Sequence, residues 1–311
     1  MQAPKIRGTS TMQYNEIKDS EIPSLQDFLA KQESQHIEPV SNFRDKLIER
    51  LTLGVENYGD PLPWEKTERK FRLRPSEVTI WAGINGHGKS QVLGMVMCWL
   101  ARDTKVLIAS MEMKPEATLE RMARQALRTD QPTISYIDQW LDAVSESLYL
   151  YTVVGTVETD RVLAAVHYAA TVKGVKHVMI DSLATCGIAT DDANGQKSFI
   201  AGLSAAAKQY NIHIHLVHHI RKGRSEEEIP DKFDVKGAGE LVDLTDNLVI
   251  VYRNKKNERQ QEPDPEMFDC MLKIDKQRHG EWEGSFMLWF HPKSMQYTPD
   301  SRNQPMMWGR L

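Results

Sequence analysis

The sequence predicts an α/β fold in which helices cover both faces of a mostly parallel sheet and the C-terminal edge of the sheet is antiparallel. From about Val78 onward, short runs rich in Val, Ile and Leu alternate with amphipathic stretches. Near-continuous apolar strands separated by helices are typical of a parallel sheet that is buried on both faces. After Phe268 two strand-like runs follow one another without a helix, which indicates an antiparallel edge.

The apolar runs also give the order of the predicted elements. The parallel strands are predicted at 77–83, 105–111, 148–155, 177–183, 212–219 and 247–254. Helices are predicted between most of them, at 89–102, 115–128, 158–173 and 196–210. The edge strands are predicted at 268–277 and 284–292.

Chain length and composition fit one such domain with an appendage. The chain has 311 residues, whereas one α/β core takes roughly 200–250. We assign residues 76–311 to the core domain and residues 1–75, which are polar and interrupted by prolines, to an N-terminal extension or linker. Hydrophobic residues make up 41% of the chain and charged residues 26%, which argues against a disordered or fibrous protein.

The extension contains two short helical signals. One begins at Ser24; the other begins at Asn42, has Asp45 at capping-box spacing and ends at Gly54. The second helix has an apolar face that consists of Phe43, Leu47, Ile48 and Leu51. Such a face is usually buried, so we expect it to pack on its own domain or on a neighbouring subunit.

Cysteine content, hydropathy and charge exclude several classes of protein. Three widely spaced cysteines favour neither a disulfide framework nor a cysteine-based zinc site. No uncharged apolar run has the roughly 18–20 residues of a membrane span, and the N-terminus lacks the apolar segment of a signal peptide. We therefore expect a soluble intracellular protein. The net charge of −4 means that any surface for nucleic acid is local.

A phosphate-binding motif lies between the first predicted strand and the first predicted helix. The run GINGHGKS matches G-x-x-x-x-G-K-[ST] in full. Its glycines let backbone N–H groups turn toward phosphate oxygens, Lys89 reaches the β- and γ-phosphates, and Ser90 offers a hydroxyl to Mg²⁺. The motif predicts a site for ATP or another NTP or dNTP. The expected nucleotide-binding residues are Gly83, Ile84, Asn85, Gly86, His87, Gly88, Lys89, Ser90 and Gln91.

Acidic residues at two strand ends fit the chemistry of such a site. Asp181 follows a buried strand and is the expected partner of Ser90 in holding Mg²⁺; the alternative is a carboxylate that caps the next turn. The residue after it is Ser182, where many P-loop ATPases have a water-activating Glu. Glu112 ends the strand after the P-loop helix, at the edge of the sheet where ligands bind. It is therefore the candidate general base.

Four histidines cluster in the fifth predicted strand. They are His213, His215, His218 and His219. His213 and His215 point to one face and His218 to the other, and no nearby Cys or carboxylate completes a tetrahedral set. Polar residues at this strand tip commonly sense the γ-phosphate. We therefore favour a phosphate sensor at His219 over a metal ligand.

Six motifs in order give the chain a resemblance to a known family. They are GINGHGKS, IASMEM, VMIDSL, HLVHHIRK, KGAGELVDLTDNLVIVYRN and KIDKQRHGEWEG. In this order the chain resembles the DnaB-like replicative hexameric helicases, especially the helicase halves of phage primase-helicases and mitochondrial Twinkle. The resemblance covers about residues 75–298 and implies a RecA-like P-loop NTPase core.

The resemblance implies roles for individual residues. Glu112 would be the catalytic base and His219 the γ-phosphate sensor. Lys276 and Arg278 would reach the nucleotide of a neighbouring subunit, with Arg278 as an arginine finger. Without the resemblance to the family, the sequence alone would favour a solvent-exposed hairpin tip for this pair. The residues that align with a sandwich around the nucleotide base are Arg253 and Phe290.

The resemblance also implies two loops that line a central channel for DNA, at 184–197 and 220–239. The expected DNA-binding residues in the second loop are Arg221, Lys222, Arg224 and Lys236. Their cations suit a single-strand backbone, but the same loop carries Glu226, Glu227 and Glu228. The alternative is a solvated loop of mixed charge.

The expected protein is thus a ring-forming, DNA-stimulated NTP-dependent DNA helicase in the cytoplasm of a bacterial or phage-infected cell. Its implied partners are single-stranded DNA, further copies in a homo-hexamer or other closed ring, and a primase or polymerase. Only ~75 residues precede the core, so we do not expect primase activity. The alternatives are a RecA-type recombinase or regulatory ATPase that binds DNA without unwinding it, and a ring scaffold or loader without turnover.

Overall fold

A ten-stranded sheet forms the centre of the fold. The computed structural model describes residues 16–17, 39–54, 56–189, 191–220, 225–235 and 238–309. The strands are β1 Glu16–Ile17, β2 Asp60–Pro61, β3 Arg72–Leu73, β4 Val78–Gly83, β5 Val106–Ser110, β6 Leu148–Tyr151, β7 His177–Asp181, β8 His213–His219, β9 Asn247–Arg253, β10 Cys270–Gln277, β11 Gly284–His291 and β12 Gln296–Thr298. The α-helices are α1 Arg44–Leu53, α2 Lys89–Leu100, α3 Pro115–Leu127, α4 Ile134–Val144, α5 Thr159–Tyr168, α6 Ala193–Tyr210, α7 Ala238–Leu244 and α8 Lys255–Glu258.

The sheet is parallel over most of its width and antiparallel at its C-terminal edge. The strand order is β1-β6-β5-β7-β8-β4-β9-β10-β11-β12, and β2 pairs with β3 in a separate ribbon. Every pairing from β1 to β9 is parallel. The pairings of β10 with β9, of β11 with β10 and of β12 with β11 are antiparallel. The predicted fold class is therefore confirmed.

Two hydrophobic cores lie on the two faces of this sheet. Side chains alternate between the faces along β4, so Ile80 joins one core and Trp81 joins the other. Helices α5 and α6 pack on the first face, and α2, α3 and α4 pack on the second. Apolar side chains on both faces explain why the parallel strands read as continuous apolar runs.

The predicted strands and helices of the core are present, most of them with shorter ends, whereas α6 begins three residues earlier than predicted. The strand predicted at 148–155 ends at Tyr151, and the helix predicted at 158–173 ends at Tyr168 before a π-helical turn over Ala169–Lys173. The prediction missed α4, which begins after Thr133 at its N-cap. It also missed α7 and α8, which are only 7 and 4 residues long.

The upstream segment differs from the prediction in two respects. Helix α1 begins at Arg44 after a 3-10 turn, with Phe43 at its N-cap and no side-chain capping bond. The predicted capping box of Asn42 and Asp45 is therefore wrong, although Gly54 ends the helix as expected, with a φ of 74°. The helix predicted from Ser24 lies outside the described residues. Residues 62–73, which we assign to the extension, contribute four side chains to the second core: Leu62, Trp64, Phe71 and Leu73.

Candidate nucleotide-binding site

A cleft of about 820 Å³ lies at the carboxyl ends of the parallel strands. It is bordered by the loop after β4, by Glu112 and Met113 just after β5, and by the last residues of β7 and β8. The predicted site residues that line it are Asn85, Gly86, Gly88, Lys89, Ser90, Gln91, Glu112, Asp181, His219, Arg253 and Phe290. Three further predicted residues, Gly83, Ile84 and His87, are buried in the same loop. The structure thus brings the phosphate loop, both acids and the strand-end histidine together.

The phosphate loop has a backbone that only glycine adopts easily. Gly86 has a φ of 79° and Gly88 a φ of 87°, in the left-handed region that disfavours side chains. A Cβ on Gly88 would also lie 2.5 Å from the Tyr297 hydroxyl oxygen. Lys89 Nζ donates to Gly83 O at 2.9 Å and to Ile84 O at 3.1 Å. Burial lowers the pKa of Lys89 to about 8.

His87 fastens the phosphate loop to the neighbouring strand β9. Its side chain is fully buried, and its Nδ1 accepts a 3.2 Å hydrogen bond from the backbone N–H of Arg253. The ring also meets Tyr252 edge-on, with centroids 5.7 Å apart. Burial lowers the pKa of His87 to about 4, so the ring is neutral near pH 7. The neutral imidazole thus holds the phosphate loop against β9.

Asp181 has the environment of a metal-binding carboxylate. It is 1% exposed, and neither carboxylate oxygen has a hydrogen-bond partner among the described residues. Burial raises the pKa of Asp181, while the Ser90 hydroxyl, which lies nearby but outside hydrogen-bond geometry, and Lys89 lower it. Buried polar oxygens are normally satisfied. Two orphaned oxygens beside a hydroxyl form the kind of all-oxygen donor set that Mg²⁺ prefers.

Glu112 is held at the other side of the cleft by two polar neighbours. The Ser182 hydroxyl donates a 2.5 Å hydrogen bond to Glu112 Oε1, and His219 Nε2 lies 3.8 Å from the same oxygen. The contact with His219 and the bond from Ser182 lower the pKa of Glu112 to about 2, against the effect of burial. The carboxylate is therefore ionised at any working pH, with Oε2 left for a further partner.

The two residues that the resemblance assigns to a sandwich around the nucleotide base both line the cleft. Arg253 ends β9 and donates from Nη2 to Glu258 Oε1 at 2.7 Å. Phe290 lies in β11, and its ring is tilted against the ring of Tyr297, with centroids 5.2 Å apart. An arginine and an aromatic ring at the same cleft are chemically suited to stack on a nucleotide base.

Among the residues of the cleft that the sequence analysis missed are Arg121 and Tyr297. Arg121 makes no hydrogen bond or ion pair with another described residue. Burial lowers its pKa, and the charge of Asp181 opposes that shift. On α3, Arg121 falls at helical spacing with Thr118 and Gln125, which are buried. An arginine on the buried face of this helix was the signal that could have identified it.

Lys276 and Arg278 lie at the opposite end of the sheet from this cleft. Lys276 pairs with Leu248, near the start of β9, and Arg278 lies 3.3 Å from Asp246, the residue before β9. Arg253, at the other end of the same strand, lines the cleft. Seven residues of strand separate the two ends, which is roughly 20 Å. Arg278 therefore does not contribute to the nucleotide cleft of its own chain.

The predicted DNA-binding residues Arg221, Lys222, Arg224 and Lys236 lie outside the described residues. What is described of the second loop spans 225–235, and an Ile220–Val235 bridge closes its base. Two of the loop acids are paired within the chain: Arg259 lies 2.6 Å from Glu226 and 3.5 Å from Glu227. The first loop, 184–197, is shorter than expected because a 3-10 turn ends at Thr185 and α6 begins at Ala193.

Two of the other strand histidines, His213 and His215, form a separate buried cluster with His177. His213 and His215 stack with His177, and His177 Nε2 lies 2.9 Å from Asp60 Oδ2. The Asp60 contact joins the loop 58–64 to the amino ends of β7 and β8. Within the described ranges, no group of three or more His, Cys, Asp or Glu side chains is arranged to hold a metal ion. None of the described helices is long and apolar enough to cross a bilayer.

Comparisons with known proteins agree with this geometry. A family model described as an AAA domain matches residues 62–225. A DNA helicase/primase of Enterobacteria phage T3 is 25% identical over 213 residues, which cover 61% of this chain and 38% of the phage protein. The chain thus matches less than half the length of this relative. The resemblance to helicases of the DnaB-like type is confirmed.

Two solved structures have the same fold. The first is described as an ATPase domain, with a TM-score of 0.70 and 16% identity, covering 84% of this chain and 99% of that domain. The second is a DnaB-like replicative helicase described with its interactions with primase, with a TM-score of 0.68 and 16% identity, covering 88% of this chain and 70% of that one. The predicted RecA-like core is therefore confirmed.

Proposed function

We propose that this chain, which belongs to the AAA domain family, works as a ring-forming replicative-type DNA helicase. It would couple NTP hydrolysis to movement along single-stranded DNA and to unwinding of the duplex. The observation that carries the proposal is the position of Arg278, which lies at the opposite end of β9 from the cleft of its own chain. An arginine finger placed there can complete only the site of another subunit.

The proposed hydrolysis uses Glu112 and His219 of the cleft. Glu112 Oε1 is fixed by Ser182 and faces His219, so Oε2 is available to orient the attacking water. The negative charge of a bound triphosphate raises the pKa of a nearby carboxylate, which makes Glu112 a better proton acceptor when substrate is present. His219, at the end of β8, lies beside this base in the cleft and would sense the loss of the γ-phosphate.

Ser90 and Asp181 are the residues that would hold Mg²⁺, because their oxygens fit its donor preference. Bound Mg²⁺ supplies positive charge that neutralises the β- and γ-phosphate oxygens. Lys89 adds a second cation from the phosphate loop. In this proposal Arg121 faces the same anion, since its guanidinium lines the cleft without a partner among the described residues.

Assembly into a ring is supported by two unpaired surfaces. The apolar face of α1 is exposed at Phe43, Leu47, Ile48 and Leu51, at 45–76%, and the helix carries three basic and two acidic residues. A groove of about 960 Å³ between α3, α4 and β6 is lined by apolar side chains, by Arg124 and by four acids, Glu116, Glu120, Asp130 and Asp142. We propose that α1 of one copy docks on this groove of the next, chiefly through its apolar face. The net charges of the helix and the groove are opposite in sign, which also favours the pairing.

The function is tested by NTP hydrolysis with and without single-stranded DNA, and by unwinding of a forked duplex. We expect DNA to stimulate hydrolysis in the wild type. Glu112→Gln is expected to bind nucleotide but not to turn it over, and Arg278→Ala to lose on the order of 10³-fold or more in kcat. Hydrolysis by Glu112→Gln at the wild-type rate would show that another group is the base.

The RecA-type recombinase or regulatory ATPase is distinguished by assembly and by unwinding. Such a protein would hydrolyse NTP and bind DNA, but it would form filaments or non-unwinding rings. Electron microscopy of the protein with single-stranded DNA and a non-hydrolysable nucleotide separates the two. Closed rings together with strand separation support the helicase. Open filaments without strand separation support the alternative.

A further inference from the structure

The end of α7 surrounds the two cations of the C-terminal hairpin. Lys276 Nζ donates to Val242 O at 2.6 Å, to Thr245 O at 2.8 Å and to Asp243 O at 3.4 Å. Arg278 Nη2 donates to Asp243 O at 2.6 Å. The last carbonyls of a helix lack partners within the helix, and basic groups interact well with them. Both cations therefore bind the same turn of backbone.

Asp246 completes this arrangement with a buried charge. Its side chain is 2% exposed, and Oδ1 lies 3.3 Å from Arg278 Nη1. Its Oδ2 accepts a 2.9 Å hydrogen bond from the backbone N–H of Val78 at the start of β4. The carboxylate is thus fixed to the central strand at one oxygen and turned toward the guanidinium at the other. We call Asp246 and the carbonyls of residues 242, 243 and 245 the finger cradle.

The cradle leaves Arg278 able to bind another group. A guanidinium has five N–H donors, and two of them face the cradle, so three have no partner among the described residues. Lys276 differs, because its three N–H donors meet three carbonyls. In this arrangement Lys276 fastens the hairpin to α7, while Arg278 is oriented with donors to spare.

We propose that the finger cradle is a positioning device and that Asp246 is a positioning residue for the arginine finger. The inference rests on the proposed function, in which Arg278 acts on the nucleotide of a neighbouring subunit. An unrestrained arginine loses side-chain entropy when it is ordered, and misplacement by about 1 Å costs on the order of 100-fold in rate. Holding the guanidinium on its own chain removes much of that cost before the subunits meet.

The cradle is also joined to the second channel loop. Helix α7 follows that loop directly, and the backbone N–H of Lys232 in the loop donates to Asp275 Oδ2 at 2.6 Å. Asp275 is the residue before Lys276. The loop therefore reaches the finger hairpin from two sides, through α7 and through Asp275.

The test mixes subunits that lack different halves of the site. Lys89→Ala subunits have an intact Arg278 but no phosphate lysine, and Arg278→Ala subunits have the reverse. We expect neither alone to hydrolyse ATP at an appreciable rate, and their equal mixture to recover activity where an intact loop meets an intact finger. Failure of the mixture to recover would overturn the action across subunits, and with it the proposed function.

Asp246→Asn is then added to one subunit type at a time. Placed on the Lys89→Ala chain, which donates the finger, it is expected to lower the recovered rate by about 10- to 100-fold. Placed on the Arg278→Ala chain, it is expected to leave the recovered rate unchanged. Equal recovery in both arrangements, or equal loss in both, would overturn the positioning role, since equal loss means that Asp246 acts through the fold of the whole chain.

Glu281→Gln on the Lys89→Ala chain is the matched control. It removes a negative charge three residues from Arg278, and Glu281 is exposed. Recovery is expected to equal that of the unmodified pair. A loss as large as that of Asp246→Asn would show that the charge of the hairpin region matters and that the cradle does not, which contradicts the inference.

Discussion

The Ser182 hydroxyl donates a 2.5 Å hydrogen bond to Glu112 Oε1 across the ends of β7 and β5. Ser182 directly follows Asp181, so two consecutive residues of one strand end serve the metal side and the base side of the proposed site. Where many P-loop ATPases have a glutamate after the metal-binding aspartate, this chain has a serine that orients a glutamate from the neighbouring strand. In the proposed mechanism, the base thus comes from the end of β5.

Ser182→Ala is expected to lower kcat for NTP hydrolysis by about 10-fold, because a hydrogen bond to a charged group contributes roughly 1.5 kcal/mol or more. KM is expected to stay near the wild-type value, since Ser182 orients the base and does not bind the nucleotide. Steady-state kinetics with saturating single-stranded DNA measures both constants. Ser145→Ala, at the exposed end of α4, is the control. A higher KM with unchanged kcat would contradict this role.

Arg121→Ala is expected to weaken nucleotide binding by about 10- to 100-fold, because a charge-assisted hydrogen bond to phosphate contributes roughly 1.5–3 kcal/mol. Titration with a fluorescent nucleotide measures the affinity. Arg124→Ala is the matched control, since Arg124 lies one turn further along α3 and donates to the carbonyls of Pro292 and Lys293. Equal affinities for both variants would remove Arg121 from the site.

Phe233→Ala is expected to weaken binding of single-stranded DNA by roughly 5- to 100-fold, because base stacking on an aromatic side chain contributes about 1–3 kcal/mol. Phe233 is 75% exposed in the loop 220–239, which is proposed to line the channel, and the Lys232 ammonium lies 5.7 Å from its ring centroid. The salt dependence of binding is expected to be unchanged, since Phe233 carries no charge. Val172→Ala, an exposed apolar change elsewhere, is the control for fluorescence anisotropy. Wild-type affinity for Phe233→Ala would exclude stacking.

Glu77→Gln is expected to stabilise the protein at pH 8. Burial raises the pKa of Glu77 from 4.5 to about 7, against the hydrogen bond from Asn247. The folded state holds the Glu77 proton more tightly than the unfolded state does. The stabilisation that comes from the protonated carboxyl is therefore fully present below about pH 4.5 and is lost as the pH rises through 7. The variant is expected to gain roughly 1–3 kcal/mol at pH 8 and nothing near pH 4. Denaturant unfolding at both pH values checks this; an equal gain at both would contradict it.

The sequence predicted the core elements well because their signals are local. Apolar runs define the buried strands, and the phosphate loop predicts its own strand-loop-helix context. The strand ends then place Glu112, Asp181 and His219 at one edge, because parallel strands end together. Each of these inferences needs only residues that are close in sequence.

The features that the sequence did not predict depend on contacts between residues that are distant in the chain. Arg121 enters the cleft only because α3 packs against α2, which begins in the phosphate loop. Arg278 is held by Asp246 and by the end of α7, 32 or more residues earlier in the chain. The Asn42 cap failed because a 3-10 turn displaces the start of α1 by two residues. No periodicity in the sequence encodes these contacts.

The most direct measurement of a site shared between subunits is cysteine crosslinking between Asn85→Cys and Arg278→Cys in one chain. Asn85 lines the cleft, whereas Arg278 lies at the opposite end of the sheet, roughly 20 Å away within the chain. Cys98, Cys186 and Cys270 are buried and do not compete for the reagent. Each single-cysteine variant is the control.

With a short thiol crosslinker, single-stranded DNA and a non-hydrolysable ATP analogue, the double variant is expected to give covalent dimers and higher oligomers on a denaturing gel. Each single variant is expected to stay monomeric, because its cysteines do not face one another across an interface. A double variant that gives only monomers, linked within the chain or not linked at all, would contradict a nucleotide site completed by a neighbouring Arg278.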